Sequence, residues 1–275
     1  MTTTDSVPQL KKIAEGREAE IFEYAEGRVL RLYRDGRSLE DAKVQATVLR
    51  DAAALGVRVP AVHGVETVEG RAGIVMERIE GHDLFELIAG EPWRVFSLSG
   101  LPARLQANMH GQAAPMALEP ARERYRRAIS SSGAPDEFVA AALKSLGRLP
   151  DDDRLLHGDF HPGNVMLAGN EPIIIDWTGV SRGSPEADFA RSMLILRLGA
   201  PPSNLPLLIR FFALFARSLM VRTYNRTYRK HIALDENLFR AWQLPTAVAR
   251  VGDGIVEERE KLFEHIRELI ARDSA

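Results

Sequence analysis

The run HGDFHPGNVML, His157–Leu167, packs two histidines, an aspartate, an asparagine and two glycines into its first eight residues. PIIIDW, Pro172–Trp177, follows, and its three isoleucines stop at a second aspartate. Asp159 and Asn164 lie five apart, with Pro162 and Gly163 forcing a turn between them. Asp176 lies twelve beyond Asn164, which suits a hairpin running out along VMLA, round GNEP and back along IIID. Such a hairpin returns Asp176 to the neighbourhood of Asn164, so that an amide oxygen and a carboxylate converge beside the further carboxylate of Asp159. Hard oxygen donors with room for water suit Mg²⁺, which takes one or two protein oxygens plus substrate phosphates. The expected chemistry is therefore one carboxylate for proton transfer and two groups that hold a metal. A rival grouping takes His157, Asp159, His161 and Asp176 as a Zn²⁺ hydrolase cluster, since imidazole and carboxylate suit that ion. It leaves Asn164 unexplained.

The elements that must position these groups change character along the chain. In the first eighty residues, short β-type runs such as AEIFEY and VLRLY are separated by glycine-containing turns. Ser38 with Asp41 has the pattern of a helix capping box, a helix is expected to about Leu55, and Gly56 is its stop signal. VPAVHGVETVEGRAGIVMERI then reads as two more strands. Three strands, one helix and two strands make a small antiparallel sheet carrying one main helix. After Gly81 the pattern is mostly helical, from DLFELIAG through LPARLQANMHGQ, ERYRRAISS and PDEFVAAALKSLGRL to VEEREKLFEHIRELIAR. The exception is the strand–loop–strand at residues 155–176. Asp188, in GSPEADFA, is placed to cap or anchor the loop from a following helix.

HGDFHPGN followed by IIIDW resembles the catalytic loop and metal-binding strand of the aminoglycoside phosphotransferase and choline kinase family. These are relatives of the protein kinases, whose H-R-D-x-x-x-x-N loop and following D-F-G have the same logic. The resemblance covers nearly the whole chain, because the N-terminal sheet, the hinge-like VMERIEG and the helical remainder follow in the family's order. It implies an α+β, two-lobed kinase-like fold, with a nucleotide lobe over residues 1–78 and a helical lobe with catalytic loop and acceptor site over 79–275. By that resemblance Asp159 is the catalytic base that orients the acceptor hydroxyl. Asn164 and Asp176 hold Mg²⁺ on the phosphates of ATP or GTP, and His157 braces the loop. The implied activity is a Mg²⁺-dependent phosphotransferase with an alcohol group as acceptor. That acceptor is a small hydroxylated molecule, such as an aminoglycoside or another antibiotic. The competing class is a non-catalytic nucleotide-binding protein of the same fold.

The nucleotide lobe departs from the family at two positions. In kinase-like folds a glycine-containing hairpin covers the phosphates and a strand lysine grips them. Gly16 stands where the cover is expected, but the lysine position carries Arg31, on one strand face with Val29 and Tyr33. Arginine keeps the charge and offers a planar fork to phosphate oxygens. The helix glutamate that pairs with the lysine aligns with Gln45, which can hydrogen-bond Arg31 but not ion-pair with it; Asp41, one turn earlier, is the alternative source of charge. Met76, Glu77, Arg78 and Ile79 form the expected hinge, whose backbone binds the adenine in such folds.

The chain of 275 residues is 45% hydrophobic and 27% charged, with net charge −2 and no cysteine. A disulfide scaffold and thiolate chemistry are excluded, and nothing in the charge asks for nucleic acid or an anionic membrane as partner. MTTTDSVPQL lacks the features of a signal peptide, and the apolar segment Leu205–Val221 is interrupted by Arg210 and Arg217. A cytoplasmic protein is the expectation. VRTYNRTYRKHI, Val221–Ile232, mixes cations with Tyr224 and Tyr228, a pattern read as a helix face with its tyrosines packed inward. Glu257, Glu258, Glu260 and Glu264 read as a solvated terminal helix face.

Overall fold

Alternation of apolar and polar residues with turn-forming glycines produces strands β1 (Lys12–Glu15), β2 (Ala19–Ala25) and β3 (Arg28–Tyr33). In this computed structural model, which describes residues 10–16, 18–34, 36–199 and 207–273 and only the backbone of 207–213, helix α1 (Leu39–Ala54) comes next. The stretch 1–9, the start of the apolar segment at residue 205 and the side chain of Arg210 lie outside the described residues. The capping box is formed: the Ser38 hydroxyl accepts from the Asp41 N–H at 3.1 Å, and the Asp41 carboxylate accepts from the Ser38 N–H at 2.8 Å. The helix ends at Leu55, before Gly56 at φ +81°. Strands β4 (Val62–Val68) and β5 (Arg71–Glu77) complete an antiparallel sheet of order β1-β2-β3-β5-β4, on which α1 packs through β4 and β5. Phe22, Leu30, Leu32, Val68 and Val75 form a buried cluster of this sheet. Burying side chains of this kind stabilises by about 1.5–3 kcal/mol each.

The short strand β6 (His82–Asp83) leads into α2 (Leu84–Gly90), α3 (Val95–Leu98), α4 (Leu101–His110), α5 (Ala121–Ser130) and α6 (Asp136–Leu146). Strand β7 (Arg154–Leu156) then enters the polar loop, and β8 (Val165–Ala168) and β9 (Glu171–Ile174) make the hairpin. After β10 (Ser181–Gly183), paired antiparallel to β7, come α7 (Pro185–Leu198), α8 (Leu207–His231), α9 (Glu236–Val251) and α10 (Val256–Asp273).

The chain groups into two compact units, Met1–Leu84 with Asn164–Trp177, and Phe85–Gly163 with Thr178–Ala275. The hairpin joins the first unit through β6, whose His82 and Asp83 stand opposite Leu167 and Met166 of β8. Gly81 permits that approach, since a Cβ there would lie 2.0 Å from the Leu167 carbonyl oxygen. In the second unit the core is the helix α7, whose Phe189 stacks on Tyr228 at 4.2 Å and which packs on α8 and α9. Tyr224 and Tyr228 are fully buried, so neither ring is offered to a ligand. Glu258 does not belong to a solvated face: it is buried and ion-paired to Arg250 at 3.0 Å, while Glu257, Glu260 and Glu264 are exposed. No described helix is long and apolar enough to cross a membrane.

Candidate active site

In the second unit the loop after β7 is tied down from beneath. Asp188, the fourth residue of α7 and 1% exposed, accepts the backbone N–H of Gly158 at 2.7 Å and of His157 at 3.2 Å. Its carboxylate also receives Gln106 Nε2 and His110 Nε2, both at 3.1 Å. Those partners are themselves held: Gln106 by Tyr224 and Ser192, His110 by Tyr228 at 2.6 Å. A buried network with its members paired is rigid, and leaving one unpaired is costly. Burial works against ionisation of Asp188, but the hydrogen bond and charge of His110 outweigh it and lower the carboxyl to about 2.

A folded-state value below the ordinary 3.9 means that this carboxylate stabilises the fold above about pH 4 and loses that contribution as pH falls through about 2. About 2–3 kcal/mol is at stake. Urea unfolding of wild type and Asp188→Asn should therefore show a gap in stability at pH 7 that narrows on acidification toward pH 2.5. A gap of constant size would remove Asp188 as an ionised anchor.

Above the anchor, His157 is completely buried, stands edge-on to Phe160, and accepts the Asp159 N–H on Nδ1 at 3.3 Å. Gly158 adopts φ +80°, and a Cβ there would meet the Gly179 carbonyl oxygen at 2.0 Å, so only glycine lets the loop run this close. Asp159 remains 30% exposed. Its Oδ1 receives Nε and Nη2 of Arg191 at 3.1 and 2.8 Å. Burial of Asp159 opposes its charge, yet Arg191 and His161 outweigh it and hold the carboxyl below the usual carboxylate range. It is ionised at neutral pH.

Arg191 was not among the residues singled out from the sequence. It sits three residues after Asp188 on α7, and its Nη2 also reaches Asp253 at 2.9 Å. Asp253 accepts from Arg250 at 2.9 Å, and Arg250 forks onto Glu258. Asp159 is thus the end of a chain of alternating charges. His161 takes the Gly163 N–H on Nδ1 at 3.1 Å and stacks on Phe85. Burial lowers its pKa to about 4, so the ring is neutral at pH 7. No group of three or more His, Cys, Asp or Glu able to hold a metal occurs among the described residues, which leaves the zinc grouping without a cluster.

In the first unit the hairpin does bring its two ends together. Val165 stands opposite Ile174, and the Ile175 N–H reaches the Asn164 carbonyl at 3.0 Å, so Asp176 falls one residue beyond the level of Asn164. Asn164 is buried, whereas the Asp176 side chain is 44% exposed. Asp176 adopts φ +60°, unusual for a residue with a side chain, and this turns it out of the strand. An amide and a carboxylate at adjacent hairpin ends, with one of them open to solvent, fit a Mg²⁺ ion that takes its remaining ligands from water and phosphate.

Arg31, opposite Ile74 on β5, donates Nη2 to Asp176 Oδ1 at 2.9 Å and lies over the Tyr33 ring. Its counterion is therefore Asp176, not a residue of α1. Asp41 closes the capping box instead, and Gln45 Nε2 is buried with no hydrogen-bond partner. Gly16 is exposed, its N–H bonded to the Ala19 carbonyl, and a Cβ there would make only ordinary contact at 3.8 Å, so the local fold does not require glycine. At the expected hinge, Met76 is buried in β5, and Glu77 forks onto Arg58 at 2.6 and 2.8 Å. The Glu77 and Arg78 N–H groups go to the Ala61 and Gly27 carbonyls, and Ile79 follows half-buried.

Solved structures of similar fold include aminoglycoside phosphotransferases and an amicoumacin kinase. A thermostable mutant of aminoglycoside phosphotransferase APH(4)-Ia, in ternary complex with ADP and hygromycin B, matches with TM-score 0.61 and 18% identity over 96% of this chain and 91% of that one. Amicoumacin kinase hAmiN, in complex with AMP-PNP, Ca²⁺ and Ami, matches with TM-score 0.63 and 15% identity over 97% and 89%. A choline/ethanolamine kinase family protein from Mesorhizobium loti matches with TM-score 0.56 and 16% identity over 96% and 86%. No curated protein sequence matches. The model of the phosphotransferase enzyme family, APH, matches residues 9–220, a span that contains the sheet, the anchored loop and the hairpin. The chain, an α+β protein of protein-kinase-like fold, belongs to the APH phosphotransferase enzyme family.

Proposed function

We propose that this protein transfers the γ-phosphoryl group of ATP or GTP to a hydroxyl of a small acceptor. The observation that carries the proposal is Asp159: an ionised, partly exposed carboxylate on a loop whose backbone is clamped by Asp188. Held there, Asp159 accepts a hydrogen bond from the acceptor hydroxyl, orients its oxygen toward the γ-phosphorus, and takes the proton as the new O–P bond forms and the bond to the bridging oxygen breaks, releasing the nucleoside diphosphate. Asn164 and Asp176 would hold Mg²⁺, which supplies charge neutralisation on the phosphates. Residues 1–78 serve as the nucleotide lobe, with Met76–Ile79 as its hinge, and 79–275 carry the loop and the acceptor site. A cytoplasmic setting goes with a nucleoside triphosphate as co-substrate.

The test is turnover of ATP and GTP against a panel of hydroxylated acceptors: amino-alcohols, sugars, hydroxy acids and antibiotics, including hygromycin B. Phosphorylated acceptor identified by mass is the expected result. Tight nucleotide binding with no transfer to any acceptor would favour the non-catalytic reading, for which the pairing of Arg31 with Asp176 is the supporting observation.

Arg31 is assigned to the nucleotide phosphates. It is permanently charged, and its pairing with Asp176 puts it beside the carboxylate proposed for the metal. Arg31→Ala should weaken nucleotide binding by about 1.5–3 kcal/mol, the range for hydrogen bonds to charged groups. Arg31→Lys should keep part of that affinity. Nucleotide titrations of the three proteins decide the matter: an alanine variant that binds as wild type does would make Arg31 a structural partner of Asp176 alone.

A further inference from the structure

A cavity of about 80 Å³ in the second unit is lined by Arg124, Tyr125, Gly158, Asp188, Arg191 and Asp253, among others. Its two carboxylates are already committed. Asp188 accepts from Gln106, His110 and two backbone N–H groups, and Asp253 accepts from Arg191 and Arg250. Of its two guanidinium groups, that of Arg191 is ion-paired to Asp159 and Asp253. Arg191 uses Nε and Nη2, but its Nη1 donates to no described residue. Arg124, half-buried on α5, makes no side-chain hydrogen bond or ion pair with any described residue. Among the described charged residues that line this cavity, Arg124 is therefore the one without a hydrogen-bond or ion-pair partner, and it is an N–H donor.

We propose that this cavity is the part of the acceptor site that binds a small anionic group, and that the acceptor is a hydroxylated carboxylate or a similar anion. This rests on the phosphotransferase reading and names its acceptor class. A guanidinium fork matches the two oxygens of a carboxylate. The volume agrees: a cavity needs about 10–15 Å³ of such space to hold one water, so this one has room for a carboxylate head. Gly158, the residue before the proposed base, lines the cavity, and Arg191 joins its wall to Asp159, so the proposal directs the rest of an anion held by Arg124 toward that base. An ammonium group in the same place would face an unpaired like charge. The cavity therefore selects against polycationic acceptors.

The experiment compares matched pairs of acceptors, short hydroxycarboxylates and their primary amides, with wild type, Arg124→Gln and Arg124→Lys. Two readouts are taken: kcat/KM with ATP, and calorimetric binding of the hydroxycarboxylate with no nucleotide present. Wild type should favour acid over amide at least tenfold in kcat/KM for the acceptors it uses. In Arg124→Gln that ratio should fall to near one, and Arg124→Lys should retain part of it. Binding of the acid that is lost in Arg124→Gln, without transfer to any acceptor, would sink the phosphotransferase reading and leave the anion subsite standing. Transfer to neutral or cationic acceptors with no preference for acid, or a preference that survives in Arg124→Gln, would overturn the subsite and leave phosphotransfer intact. Absence of both acid binding and acid preference also overturns it.

Discussion

Asp159→Asn should lower turnover by about 10²–10⁴-fold, equivalent to about 3–5 kcal/mol of barrier, while fold and nucleotide affinity stay nearly unchanged. The expectation of an intact fold follows from the way the residue is held. The backbone around it is fixed by Asp188 and His157, neither of which depends on the Asp159 charge. Arg191 keeps its second carboxylate, Asp253, at 2.9 Å, and an asparagine oxygen can still accept from its guanidinium. The amide, however, cannot take a proton from an acceptor hydroxyl at neutral pH, and a carbonyl oxygen orients that hydroxyl less strongly than a carboxylate does. Steady-state turnover, nucleotide titration and a urea melt on both proteins separate these effects. A variant that phosphorylates acceptor at the wild-type rate would show that Asp159 is not the base. A collapse in stability would show instead that the Asp159–Arg191 pair is structural, and that Asp253 alone does not compensate the buried guanidinium.

What could be read from the sequence was what is local. Ser38 and Asp41 announce the start of α1 because their hydrogen bonds span three residues, and the GNEP turn announces the hairpin because both of its strands flank it. Helix α9 gave no comparable signal. From Leu244 to Arg250 it is buried at every residue, so there no apolar stripe alternates with a polar face, and Pro245 lies within it. Its N-cap, Asp235, was the one local mark available. Arg191 was invisible for a different reason. Nothing in DFAR says that the arginine joins Asp159, 32 residues earlier, to Asp253, 62 residues later; that link exists only once α7 and α9 are packed. The same holds for Arg31. The strand and its face were legible, but the partner, Asp176, is 145 residues away. A shift in composition marks a cut along the chain, here near residue 78. The grouping of Asn164–Trp177 with the first unit depends on strand pairing between β6 and β8, which composition does not record.

Asp176→Ala should abolish the Mg²⁺-dependent tightening of nucleotide binding and lower turnover by about 10³-fold, or about 4 kcal/mol of barrier. Asp176 is the exposed carboxylate at the hairpin end, and Asn164 at the other end offers only a neutral amide, so the substitution removes the sole negative ligand of the proposed pair. The local backbone is expected to persist, since the β8–β9 ladder does not use the Asp176 side chain, although alanine at φ +60° retains the strain that a β-carbon meets there. The substitution also releases Arg31 from its 2.9 Å contact, which frees the guanidinium for nucleotide phosphates. In the absence of Mg²⁺ the variant should therefore bind nucleotide at least as well as wild type. Metal-dependent and metal-independent binding thus move in opposite directions, a signature that simple misfolding does not produce. Asp176→Asn is the companion variant. Asparagine tolerates the left-handed region and keeps one oxygen, so it should restore part of the Mg²⁺ response without the charge. Calorimetric titration of nucleotide with and without Mg²⁺ across the three proteins reads all of this. An undiminished Mg²⁺ response in Asp176→Ala would place the metal on other residues, and the carboxylate would then be the counterion of Arg31 and nothing more.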